Sequence, residues 1–179
     1  DLKHYIHKIQ RMEEPEAEEL EAVLNKVESY ENTYQTGNAT LDVVLTEKSL
    51  LCQQEKISFS CIADGAVLDF MKTLDIAALL GNGLDNAIEY ERKVPAEKRY
   101  IFLKIQRSGS LVSVRIENYC ENFPRLSTDG LPAASSKKDA ALHGYGTKSM
   151  QYIVEKYEGN FRIFPDGKLF VVSILFPTE

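Results

Sequence analysis

Apolar residues along this chain recur at two spacings, and turn residues separate the stretches that carry them. Leu2, Tyr5, Ile6, Ile9 and Met12 form a heptad-like stripe that predicts a helix over residues 1 to about 12. Pro15 breaks that pattern and stands near the start of the next helix, whose first turn is rich in glutamate. Over about 16–34, Leu20, Val23, Leu24, Val27, Tyr30 and Tyr34 make a long apolar seam. Together these predict an antiparallel helical hairpin with arms of roughly 18 and 28 Å at 1.5 Å per residue. The shorter arm cannot cover the longer, so the hairpin is expected to be truncated at its start or to be covered by a second copy of the chain.

Gly37 and Asn38 mark the expected boundary between a first segment, 1–36, and a globular domain, 37–179. In the domain, 42–54 reads as a helix with Leu41, Val44, Leu45 and Leu51 inward, and 57–62 alternates as a strand. Ile76, Leu80, Leu84 and Ile88 carry a helix over about 73–92, which Pro95 ends. Residues 99–107 and 111–118 alternate around Ser108-Gly109-Ser110 as a hairpin. Met150, Ile153, Val154 and Tyr157 predict a helix stopped by Gly159 as its C-terminal glycine, and a second hairpin follows across Asp166-Gly167. Helices on one face of a mixed, mostly antiparallel sheet make a two-layer α/β sandwich of the α+β kind.

Composition narrows the function. The 179 residues are 44% hydrophobic and 27% charged, with a net charge of -6, which suits a soluble globular protein and not a nucleic-acid binder. Cys52, Cys61 and Cys120 lack metal-type spacing, and His4, His7 and His143 stand too far from them to suggest zinc. The thiols read as reduced packing residues. No apolar run approaches a membrane span, and the first residues do not read as a signal peptide, so none is expected.

Two segments carry candidate chemistry. On the helix over 73–92, Asn82, Asp85, Asn86 and Glu89 fall together opposite the apolar stripe. Two carboxamides beside two carboxylates either form a wetted polar face or offer oxygen to Mg²⁺, which takes few protein ligands and uses phosphates and waters for the rest. The second segment is His143-Gly144-Tyr145-Gly146-Thr147-Lys148, read as a glycine-rich turn feeding a helix. Such a turn aims backbone N–H groups at a phosphate, although Thr147 also serves as a plain N-cap. Between Asn118 and His143 lies a polar stretch with Pro124, Gly130 and Pro132, long enough to be functional or disordered.

Together these segments resemble the asparagine box and last glycine box of the GHKL superfamily of ATP-binding domains. The closer likeness is to the peptide-sensing quorum receptors among the histidine kinases of Gram-positive bacteria. It rests on Leu79-Leu80-Gly81-Asn82-x-Leu84-Asp85-Asn86-Ala87-Ile88-Glu89, on Ser136-Lys137-Lys138 before His143-Gly144-Tyr145-Gly146, and on Thr36-Gly37-Asn38-x-x-Leu41-Asp42, Lys48 and Lys56-Ile57-Ser58-Phe59. The resemblance spans nearly the whole chain. It implies the GHKL (Bergerat) fold, ATP and Mg²⁺ as cofactors, and a mobile lid over 118–143.

By position, the resemblance makes Asn86 the metal ligand and Asn82 a phosphate or metal-water contact, with Asp85 and Glu89 near bound waters. Asn118 falls where most of the superfamily has an aspartate that reads the adenine amino group, and its amide oxygen can accept the same bond. The usual Asp-x-Gly-x-Gly is absent, replaced by Asn118-Tyr119-Cys120-Glu121-Asn122. Gly144, Gly146 and Thr147 would border the triphosphate, and Lys137 or Lys148 would neutralise it. A charge run of this kind is also often simply solvated. In the family the phosphoacceptor histidine directly precedes Asp-Leu-Lys-His. That sets it just before Asp1, makes Asp1 the catalytic base and leaves His4 structural, with His4 or His7 as acceptor the lesser alternative. The implied protein is the cytoplasmic kinase portion of a membrane-bound receptor. It would dimerise through its N-terminal helices and pass phosphate to a response regulator. The rivals are an anti-sigma-type serine kinase and a degenerate ATP-binding or dimerisation scaffold without turnover.

Overall fold

The protein's structure is a computed structural model that describes residues 34–132 and 137–178, the side chains of 137–145 excepted. The chain divides into two units, Asp1–Tyr34 and Gln35–Glu179. Asp1, His4, His7 and the helical pair expected before residue 34 lie outside the described residues.

The first helix, α1 (Ala39–Gln54), begins where Asn38 accepts the Leu41 N–H at 3.1 Å through its side chain. Asp42 reaches back to take the Thr36 hydroxyl at 2.7 Å and the Thr36 N–H at 2.8 Å. Gly37, at φ +91°, supplies the turn between them. The Thr-Gly-Asn-x-x-x-Asp segment is therefore a helix-start device. Along α1 the buried positions are Leu41, Val44, Leu45, Lys48 and Cys52, whereas Leu51, expected inward, is only half-buried. Hydropathy alone chose Leu51, because the position that completes the inward face is a lysine.

After α1 come β1 (Ser58–Ala63), a 3₁₀ turn over Gly65–Leu68, and α2 (Thr73–Glu91). The hairpin strands β2 (Tyr100–Ser108) and β3 (Leu111–Tyr119) follow, then α3 (Lys137–Lys156), β4 (Asn160–Asp166) and β5 (Leu169–Pro177). The sheet runs β1-β2-β3-β5-β4. Only β1 with β2 is parallel; the other pairs are antiparallel. Ser108 pairs with Leu111 and Asp166 with Leu169, so each hairpin turns on two residues, with Gly109 and Gly167 at φ near +60°. The two-layer α/β sandwich is as the alternation predicts.

On the helix-facing side of the sheet, Ile101, Leu103, Ile105, Val112, Val114, Ile116, Ile174 and Phe176 are buried against Ile76, Leu80, Leu84 and Ile88 of α2 and Met150 and Val154 of α3. Gly83 lets α2 settle closely here: a Cβ at that position would stand 2.5 Å from Ile116 Cδ1 and 3.1 Å from Met150 Cε. The far ends of α1 and α2 are tied by Arg99, whose guanidinium donates to the carbonyls of Glu55, Val94 and Arg92 at 2.6, 2.8 and 3.2 Å.

Besides α1, which begins at Ala39 and not at 42, two boundaries differ from the sequence reading. α3 starts at Lys137 and runs through Gly144 and Gly146, so the expected glycine turn is helix and Thr147 is not its N-cap. Lysines, alanines and a leucine ahead of the glycines favour helix, and each glycine costs only about 1 kcal/mol against that run. At the other end of α3, the left-handed residue is Glu158 at φ +55°, not Gly159. Gly159 is required by packing instead, since a Cβ there would lie 2.8 Å from both Phe176 and Val154 and 2.9 Å from the Leu175 carbonyl.

Candidate functional site

The polar side of α2 and the middle of α3 meet at Asn86. Its Nδ2 donates to the Thr147 hydroxyl at 3.4 Å, and a Cβ on Gly146 would come within 3.3 Å of its Oδ1. Gly146 thus serves close approach rather than a turn. The Asn86 oxygen has no donor among the described residues, which leaves a carboxamide oxygen for a cation. No cluster of three or more histidine, cysteine or acidic side chains that would hold a metal alone exists among the described residues. One or two amide oxygens, completed by phosphates and water, match the preference of Mg²⁺.

Asn82 lies one turn before Asn86 and is half-buried. Asp85 faces the other way, toward α1, and pairs with Lys48 at 2.8 Å. Lys48 is 8% exposed and also contacts Glu47 at 3.0 Å. Burial works to lower the lysine's pKa, yet the bonds to Asp85 and Glu47 outweigh it and hold the ammonium above its ordinary range. Asp85 is therefore occupied as an anchor between helices. Glu89 and Lys148 are exposed, Gly144 lies in the helical backbone of α3, and the Lys137 side chain is outside the described residues.

Asn118 closes the inner face of β3 and is 3% exposed. Its Nδ2 donates to Glu91 Oε1 at 3.2 Å and to the Tyr119 carbonyl at 3.1 Å, and its Oδ1 has no donor among the described residues. An unsatisfied buried acceptor costs about 1–3 kcal/mol, so this oxygen fits a ligand N–H. Glu91 and Tyr90 escaped the sequence reading, and Cys120 was read only as a packing thiol. Tyr90 Oη meets Cys120 Sγ at 3.1 Å beside Asn118. Glu91 did carry a signal: it continues the inward positions 84, 87 and 88 of α2 with a carboxylate where an apolar residue is expected.

The segment after β3, expected as a lid, is anchored where it is described. Phe123 stacks on Phe170 with centroids 5.3 Å apart, Leu131 is buried, and Leu126 bridges to Pro132. Within it the Ser127 hydroxyl and the Leu131 N–H, aided by the charge of Lys148, hold the Asp129 carboxyl below the usual range. Among the described residues no helix is long and apolar enough to cross a membrane, and Cys52, Cys61 and Cys120 are free thiols.

Known proteins share this fold. No curated protein matches the chain in sequence. Among solved structures, the Acinetobacter baumannii histidine kinase AdeS superposes with a TM-score of 0.53 at 15% identity, covering 99% of this chain and 93% of that one. The catalytic domain of histidine kinase ThkA gives 0.60 at 18% identity over 78% and 90% of the two chains. The histidine kinase domain of the Erythrobacter litoralis blue-light activated kinase EL346 gives 0.53 at 15%, over 75% and 58%. These likenesses show a shared fold. The model of the GHKL domain matches residues 71–177, more than half the chain, and the protein belongs to the GHKL family.

Proposed function

We propose that this chain binds Mg-ATP and is the kinase portion of a sensor histidine kinase of the peptide-receptor branch. The observation that carries the reading is the junction of Asn86 with Gly146 and Thr147, which leaves a carboxamide oxygen open beside a closely approached α3 backbone. Asn86 would hold Mg²⁺, which when bound neutralises phosphate charge, and Asn82 one turn away would contact a phosphate or a metal-bound water. Gly144, Gly146 and Thr147 border the phosphates, Lys137 and Lys148 add positive charge, and Asn118 takes the adenine amino group. Phosphoryl transfer depends mainly on such positioning and charge compensation.

The acceptor is a histidine nitrogen, with Asp1 drawing the proton from the opposite ring nitrogen. From the histidine the phosphoryl group passes to a response-regulator aspartate. Residues 1–36 supply the dimer contact and residues 37–179 the ATP domain. The kinase portion lies on the cytoplasmic side of a membrane receptor.

Titration calorimetry of the chain with ATP, with and without Mg²⁺, tests the site. Asn86→Ala is expected to weaken Mg-ATP binding at least about tenfold, equivalent to about 1.4 kcal/mol. Unchanged affinity in that variant, or no binding by the parent, would sink the reading. For the transfer step, a chain extended upstream of Asp1 should form acid-labile, base-stable phosphohistidine from Mg-ATP, and its absence would favour a scaffold.

A further inference from the structure

Glu91 ends α2 fully buried. Its Oε2 accepts the Tyr100 backbone N–H at 2.9 Å and its Oε1 accepts Asn118 Nδ2 at 3.2 Å. Burial raises its pKa, while the bonds from the Tyr100 backbone, Asn118 and the Tyr119 backbone and the charge of Arg99 oppose that rise. On the other side of this contact, the Asn118 amide spends both of its N–H donors, on Glu91 and on the Tyr119 carbonyl. Both acceptors lie on the nitrogen side, so the amide is held one way round with its oxygen turned away from Glu91.

An aspartate at this position would need no such help, because both of its oxygens accept. An asparagine presents an oxygen or an amino group, and something must choose. We propose that Glu91 is the positioning residue that makes this choice, fixing Asn118 with its oxygen toward the base and so selecting a purine with an exocyclic 6-amino group over a 6-oxo purine. The inference rests on the reading of Asn118 as the base contact.

The test is the ratio of affinities for ATP and inosine triphosphate, measured by calorimetry on the whole chain with Mg²⁺. In Glu91→Gln the Tyr100 backbone N–H cannot turn, so the new carboxamide gives its oxygen to Tyr100 and sets its NH₂ against the Asn118 NH₂. Asn118 then keeps the Tyr119 carbonyl but faces a donor where it had an acceptor, which favours turning its oxygen toward that donor and away from the base. The preference for ATP is expected to fall at least about tenfold, the factor that one ordinary hydrogen bond commands. Adding Asn118→Asp to Glu91→Gln restores an acceptor on both sides and should recover the preference, which a purely structural role for Glu91 would not do.

A folded Glu91→Gln variant with the parent's ratio overturns the role of Glu91 alone. Failure of the parent to bind either nucleotide overturns the ATP reading and this inference with it. Should Glu91→Gln not fold, Asn118→Asp alone sets two buried carboxylates together. Its melting temperature should then lie below that of the double variant, and the reverse order overturns the proposal.

Discussion

At the scale of single residues, the end of α3 separates two properties that one glycine is often assumed to combine. The left-handed conformation falls on Glu158, and the tight packing falls on Gly159. A non-glycine residue in that conformation is disfavoured by roughly 1–2 kcal/mol, partly offset by the greater unfolded-state freedom of glycine. Glu158→Gly is therefore expected to stabilise the chain by roughly 0.5–1 kcal/mol. Gly159→Ala should cost about 1–3 kcal/mol, since the added methyl meets a backbone carbonyl that cannot step aside. Urea denaturation of the two variants checks both signs, and equal effects would refute the assignment. Residue-level reading of the sequence reached Asn82 and Asn86 because amides opposite an apolar stripe stand out. The Lys48–Asp85 pair and Glu91 were not legible, because their partners lie on other elements.

Among elements, the junction of α2 with α3 is braced at the end away from Asn86. Asp75 Oδ2 accepts Lys156 Nζ at 2.7 Å and the Tyr157 hydroxyl at 2.5 Å, while that hydroxyl takes the Lys72 N–H at 2.9 Å. The Tyr157 ring sits edge-on to Phe70 and Phe176. The bonds from Lys156 and Tyr157 hold the Asp75 pKa below its ordinary value. An acid with a lowered folded-state pKa stabilises the fold above its unfolded value, about 4, and loses that contribution as pH falls through the folded value. The stability gap between the parent and Asp75→Asn, from urea titrations, should therefore be open at pH 7 and close below about pH 4. A gap independent of pH would show that the brace is not ionic.

Periodicity located α2 and every described strand to within a residue or two, because each buries one face. It misplaced the start of α3, where glycines that serve contact with Asn86 mimic a turn.

For the whole molecule, ligand binding and folding are linked by mass action. Mg-ATP at 100 times its Kd should stabilise the chain by about 2.7 kcal/mol, raising Tm by roughly 5–10 °C for a protein of this size. The same concentration should do far less for Asn86→Ala, and an equal rise in both would point to binding elsewhere.

The parallel pairing of β1 with β2 gives this linkage a topological form. Parallel neighbours cannot be joined by a tight turn, so the chain must cross the sheet between Ala63 and Tyr100, and the element that makes the crossing is α2. The helix that bears the asparagines is thus also the strut that lets an edge strand exist. Any lineage of this fold that discarded the helix would forfeit β1 with it, so the site can decay by point substitution but not by deletion.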